Sequence, residues 1–316
     1  MNVLLIAPRF YDYDTKIKEE IERQGHSVDL FCEYKEKYSF FTRFVSKSKK
    51  IKNNLKIQKK ILSEIKTKTY DFVLVIVGRF LSEYFMTELK EFHQKARFIL
   101  YLWDDVSRCE SFERINKYFD NIYSFDRKDC AEKGFEFLPL FYTKEFEPNE
   151  SIEKNINVYG ALFAHSDRID IVRKVSEQVE NSYFYIYFTS KIQLLKYLIS
   201  EKKGKEYKQI HAKNVSMSKN VNILNMQKSK CVLDIQHPTQ VGLTIRTIES
   251  IGCKNKLITT NRDVVNYDFY NKKNILVIDR NNPIVPQEFI TGDYETLDKS
   301  IYEKYSIAAF VHKLLW

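Results

Sequence analysis

Glycine is in short supply: eight occur among 316 residues, and none are set as G-x-G-x-x-G. A dinucleotide oxidoreductase needs closely spaced glycines to bring its backbone up to a pyrophosphate, so that class is disfavoured. Cysteine is thin as well. Cys32, Cys109, Cys130, Cys231 and Cys253 are scattered, with no C-x-x-C pair. This argues against a zinc centre or a disulfide scaffold and for a reducing cytoplasm. No run approaches the roughly 18 to 20 apolar residues that a membrane helix needs. The opening Met-Asn-Val-Leu-Leu-Ile-Ala-Pro-Arg lacks a basic leader and a small-residue cleavage site, and reads as a first strand.

Net charge is missing too, outside one place. Lysine and arginine total 51 against 42 acids, a net charge of +9. Residues 43–68 hold ten of those basic residues and a single acid, Glu64, which leaves 41 of each sign elsewhere. A neutral chain with one basic patch points to local docking rather than a nucleic-acid groove, where charge is spread and interleaved with aromatics. Within the segment, Ile51, Leu55, Gln58, Ile61, Leu62 and Ile65 fall on one helical stripe with lysines on the other faces, beside Phe40, Phe41, Phe44 and Val45. That is the composition of an interfacial helix on anionic lipid, although a solvated helix face reads the same way.

What is present is an ordinary globular composition, 44% hydrophobic, in a chain long enough for two α/β domains. The first half reads strand (3–7), helix (13–24) closed by Gly25, strand (27–31), the basic helix, strand (70–77), helix (80–94) and strand (98–103). A helix (112–118) and strands at 121–125 and 135–138 follow, then an irregular, Glu-rich linker over 143–155. The second half restarts with a strand at 157–160. This predicts two Rossmann-like domains facing across a cleft, 1–150 and 151–296, with a helix over 297–316 crossing back to the first.

The most informative stretch runs from Asp234 to Glu249. A buried strand ends there, the chain breaks at Pro238 and Gly242, and a helix begins near Thr244. Unpaired N–H groups and the helix dipole make such a start an anion site. Gln236, His237, Gln240, Gly242, Leu243, Thr244, Arg246 and Glu249 are its candidate residues, joined from the preceding strand-loop-helix by Gly160, His165 and Arg168. Glu249 can instead pair with Arg246 one helical turn earlier. In the first half, Asp104 and Asp105 end a buried strand, where a catalytic base or a helix cap is equally at home. Asp126 and Arg127 read as an ion pair at a strand end.

Three runs in the first half, Tyr101 to Asp105, Tyr118 to Cys130 and Leu138 to Tyr142, carry a family likeness. Val158 to Gly160, His165 to Arg168 and Gln240 to Leu257 continue it in the same order. With these motifs the chain resembles GT-B glycosyltransferases of the bacterial surface-polysaccharide and spore-maturation-like type. The resemblance implies a nucleotide-sugar donor (UDP- or GDP-sugar) in the second domain, a glycan or lipid-linked glycan acceptor in the first, and no metal. It implies a role for Glu249 on the ribose hydroxyls, for Arg168 and Arg246 on the diphosphate, and for Asp104 or Asp105 as base. The paired glutamates of many retaining members are broken here, because Val241 stands eight residues before Glu249. The expected place is the inner face of the plasma membrane, with residues 43–68 on the lipid. A non-catalytic nucleotide- or glycan-binding regulator on the same fold is the alternative.

Overall fold

A computed structural model describes residues 1–34, 47–109, 111–201 and 207–316. They form two units, Met1–Pro139 with Ile307–Trp316, and Leu140–Ser306. The first opens with β1 (Asn2–Ile6), α1 (Tyr13–Arg23) and β2 (Ser27–Phe31). Just past α1, Gly25 takes φ +86, a left-handed turn that a side chain would strain. Next come α2 (Lys47–Ile65), β3 (Phe72–Ile76), α3 (Glu83–Phe92) and β4 (Arg97–Leu102). Then α4 (Phe112–Ile115), β5 (Asn121–Ser124), α5 (Arg127–Lys133) and β6 (Glu136–Phe137) complete the unit's sheet and cover. The sheet is parallel throughout, in the order β2-β1-β3-β4-β5-β6. Its central strands are buried on both faces, which is why β3 and β4 read as continuous apolar runs.

Two expectations change here. Helix α3 starts at Glu83 rather than at Phe80, because the Ser82 hydroxyl caps it by accepting from Phe85 N–H at 3.1 Å. Asp126 is a helix cap, not simply a strand-end partner of Arg127: its carboxylate accepts from Lys128 N–H at 2.8 Å and starts α5, which the sequence reading left out.

The basic helix also departs from its reading. Ile61, Leu62 and Ile65 are buried in the first unit's core, and Gln58 is buried with its amide donating to Phe80 O at 2.9 Å. The C-terminal part of the α2 stripe, Ile61, Leu62 and Ile65, is therefore used by its own domain, while Lys56, Lys59, Lys60 and Lys66 face solvent. This corrects the picture of an interfacial helix with a free apolar face. Arg43, Phe40, Phe41, Phe44 and Val45 lie outside the described residues.

The second unit contains β7 (Ile156–Phe163), α6 (Arg168–Ser176), β8 (Tyr183–Tyr187), α7 (Lys191–Glu201), β9 (Ile210–Lys213) and α8 (Lys219–Gln227). It continues through β10 (Ser229–Asp234), α9 (Ile245–Gly252), β11 (Lys256–Thr259), β12 (Ile275–Val277), α10 (Gln287–Thr291) and α11 (Lys299–Lys304). Its parallel sheet runs β12-β11-β10-β7-β8-β9. Within 143–155 a 3-10 turn, Lys144–Phe146, buries Phe146 in this unit. The terminal stretch is two helices, not one. The break at Tyr305–Ser306 is held by Tyr142 N–H donating to Tyr305 O at 2.9 Å, and α12 (Ile307–Leu315) groups with the first unit. There Phe310 meets Tyr101 edge-on and Ala308 O accepts from Gln24 at 3.0 Å.

Candidate functional site

In the second sheet, the unit's first strand, β7, neighbours its fourth, β10. Strand order reverses between them, and ligands of open α/β sheets bind beyond the carboxyl ends of such a pair. Two loops leave that point: Ala164 to Asp167 leading into α6, and Ile235 to Thr244 leading into α9. They touch, since the rings of His165 and His237 lie 5.6 Å apart. Ser166 turns the first loop with φ +51, a conformation costing a non-glycine residue about 1 kcal/mol or more.

The start of α9 is fixed from inside. Thr244 caps the helix by accepting from Thr247 N–H at 3.3 Å. The hydroxyls of Thr244 and Thr247 both donate to Asp234 Oδ2, each at 2.8 Å. Asp234 is buried at the end of β10, so strand and helix are tied together by one carboxylate. In the helix's first turn, Arg246 donates to Asn222 Oδ1 at 3.0 Å, an oxygen that also accepts from the Tyr159 hydroxyl at 2.8 Å. Glu249 is buried one turn on. Burial above all, with lesser help from the Glu249 charge, raises both the Tyr159 phenol and the Cys253 thiol above their ordinary ranges.

Arg168 is the distinctive group. Its guanidinium lies 2.8 Å from His165 Nε2, while its Nε is buried with no hydrogen-bond partner among the described residues. Burial pushes it down to about 10, and the positive charges of Arg246 and Arg280 act the same way against Asp234 and Asp167. Three guanidiniums thus lie within electrostatic reach, and that of Arg168 has the His165 imidazole as partner and an orphan donor. A half-buried arginine with a buried, unpaired Nε is stabilised by an anion.

Other predicted residues brace the loops. Gln236 is buried: its Oε1 accepts from the Thr260 hydroxyl and from Arg280 at 3.2 Å, and its amide donates to Thr260 O at 3.3 Å. Gln240 donates to Gly242 O at 2.9 Å, and Asn261 donates to Val241 O at 2.9 Å, with Gly242 and Leu243 buried beneath. Gly160 sits inside β7, where an added Cβ would meet Phe184 at 3.2 Å and Leu162 at 3.3 Å. It serves strand packing. Arg280 is the residue the sequence reading missed. It holds both oxygens of Asp167, at 2.6 and 2.8 Å, and reaches Thr260 Oγ1 at 3.0 Å. Its one clue was position, an Asp-Arg pair just past a buried apolar strand.

In the first unit, Asp105 caps the 3-10 turn Val106–Arg108, accepting from Ser107 N–H at 2.8 Å. Asp104 pairs with Arg79 at 2.5 Å, both half-exposed. Nearby, Glu33 is fully buried, accepts from Phe80 N–H at 3.2 Å and is pushed up to about 7, chiefly by burial.

Two six-stranded parallel α/β units in one chain are the GT-B fold. No family model and no curated protein sequence matches the chain. Solved structures do. A glycosyltransferase involved in avilamycin A biosynthesis is similar with a TM-score of 0.65 at 8% identity, covering 100% of this chain and 96% of that one. An alpha-glucosyltransferase in complex with UDP and DNA is similar at 0.63 and 13% identity, covering 100% and 95%. HepE of Anabaena, in complex with UDP and glucose, gives 0.63 at 8% identity over 100% and 98%.

Proposed function

We propose that the chain transfers a glycosyl group from a nucleoside-diphosphate sugar to a glycan hydroxyl. The observation that carries this is the orphan Nε–H of Arg168, buried at the switch point between two helix starts and within electrostatic reach of Arg246. A diphosphate is the anion that suits it. As the acceptor oxygen bonds to the anomeric carbon, the bond to the β-phosphate breaks and its electron pair leaves with the nucleoside diphosphate. Fixed guanidiniums and helix N-termini stabilise that growing charge. Glu249 is assigned to the ribose hydroxyls, and Asp104, supported by Arg79, to the acceptor proton.

In this reading the donor is a UDP- or GDP-sugar, no metal is needed, and the acceptor is a lipid-linked surface polysaccharide at the cytoplasmic membrane face. The exposed lysines of α2 would add electrostatic attraction to it. The non-catalytic regulator is favoured by one observation, that the Asp104 carboxylate is already engaged by Arg79.

Thermal shift with UDP, GDP, CDP and ADP tests the site: one or two should stabilise the chain, and Arg168→Gln should weaken binding by roughly 10- to 100-fold, the worth of a charge-assisted hydrogen bond. Stabilisation by none would end the proposal. Turnover of the stabilising nucleotide-sugar, lost in Asp104→Asn and untouched by a chelator, separates enzyme from regulator.

A further inference from the structure

Helix α7 joins β8 to the edge strand β9. Its Leu194 and Tyr197 pack on the second unit's core. On the outward side, Ile192, Leu195 and Ile199 are 68%, 58% and 50% exposed, with Leu198 at 42%. The first three are spaced i, i+3, i+7 and fall within roughly 60° of one another about the axis. Single exposed aliphatics need no explanation, but a continuous stripe on one helix does. Exposed Lys191 and Lys196 flank it on either side, where their stems can lie along apolar surface while the ammonium groups stay in a polar layer.

We propose that this face of α7 docks on an anionic lipid bilayer. Charge decides the occupant. Among the described side chains of α7 the charged ones are Lys191 and Lys196, both exposed beside the stripe. Two copies meeting through this face about a two-fold axis would set like charges against each other, a repulsion that self-association must overcome. An anionic bilayer answers both features, taking the aliphatic side chains below its headgroups and the lysines among them. The contrast with α2 supports the choice: that helix carries more lysine, yet Ile61, Leu62 and Ile65 of its stripe are buried, whereas α7 leaves Ile192, Leu195 and Ile199 open. The proposal does not rest on the nucleotide-sugar reading.

The test is co-sedimentation of the full chain, without nucleotide, with phosphatidylcholine vesicles with and without 30 mol% phosphatidylglycerol. Binding should need the anionic lipid and fall at least tenfold in the Ile192→Ser, Leu195→Ser, Ile199→Ser triple variant, with melting temperature unchanged. Lys56→Gln with Lys60→Gln should weaken binding less. In a Leu195→Trp variant, the added indole emission should shift to the blue with anionic vesicles. Absent binding, binding indifferent to the serine variant, or an unshifted emission from the added indole would overturn the proposal. So would a concentration-dependent dimer abolished by the same serines, which would assign the face to a second copy. Because the readout needs no nucleotide, its failure leaves the thermal-shift result on the nucleotide site untouched.

Discussion

Replacing Arg280 by methionine tests whether the loops at the switch point are held as described. The side chain bridges three strand ends and the first turn of α6 through Asp167, Gln236 and Thr260. The bidentate pair to Asp167 is partly exposed, 21% and 39% for the two side chains, so about 1 kcal/mol is a fair share for it. Bonds to Gln236 and Thr260 add about 1–2 kcal/mol, held down because Gln236 Oε1 keeps the Thr260 hydroxyl and is not orphaned. The total, about 2–3 kcal/mol, corresponds to a fall in Tm of roughly 5–10 °C for a domain of this size. Arg280→Lys should recover little, since a point charge cannot serve both Asp167 oxygens and Gln236 together. The pH dependence supplies a second signature. The hydrogen bond and charge of Arg280 hold the Asp167 carboxyl below its usual range. A depressed carboxylate contributes stability above its unfolded value near pH 4, and that contribution is lost as pH falls through the folded value. Wild type and Arg280→Met should therefore differ most at pH 7 and converge near pH 2 in urea titrations. A methionine variant as stable as wild type at pH 7, or a difference that persists undiminished in acid, would refute this account.

Three further outcomes follow from single residues. Gly252→Ala should cost about 2–3 kcal/mol, because the new Cβ would lie 2.7 Å from Tyr142 Cγ, and buried Tyr142 is fixed by backbone bonding to Tyr305; urea midpoints would show it. Gly160→Ala should cost less, as the atoms it meets are side-chain ends of Phe184 and Leu162 that can give by tenths of an ångström. Burial raises the Glu33 carboxyl to about 7 in the folded state, so stability should fall as pH rises from the unfolded value toward 7, by up to about 3 kcal/mol. Glu33→Gln should flatten that slope between pH 5 and 8, and equal slopes for the two proteins would count against a buried, protonated Glu33.

The architecture was legible where burial and periodicity speak together. β1, β3, β4 and β10 are apolar runs because helices cover both faces of a parallel sheet, and their ends fall within one residue of the observed ones, save that β3 starts two residues later than read. Helix α5 was missed because only seven residues separate its Asp126 cap from left-handed Gly134, too short a span for an apolar stripe. Edge strand β9 was missed for a related reason: Ile210–Lys213 pairs on one side only and offers a single strongly apolar residue.

The candidate site divides along the same line. Which residues stand at the carboxyl ends of strands follows from chain order, so His165, Arg168, His237, Thr244 and Arg246 could be picked out together from two separated loops. Which of those residues are already engaged is a matter of partners distant in sequence. In sequence Gln236 and Asp104 read as unpaired side chains, whereas Thr260 and Arg280 engage Gln236 and Arg79 pairs with Asp104. The two amphipathic helices make the same argument from the surface. Periodicity finds an apolar stripe on α2, but the core covers its Ile61, Leu62 and Ile65. On α7, apolar residues occupy Ile192, Leu194, Leu195, Tyr197, Leu198 and Ile199, roughly 220° of the circumference, and no periodicity separates a core face from an open one. Only packing shows that Leu194 and Tyr197 are taken and the others left out. A stripe in sequence is a surface that needs a partner, and the fold decides whether that partner is the protein itself.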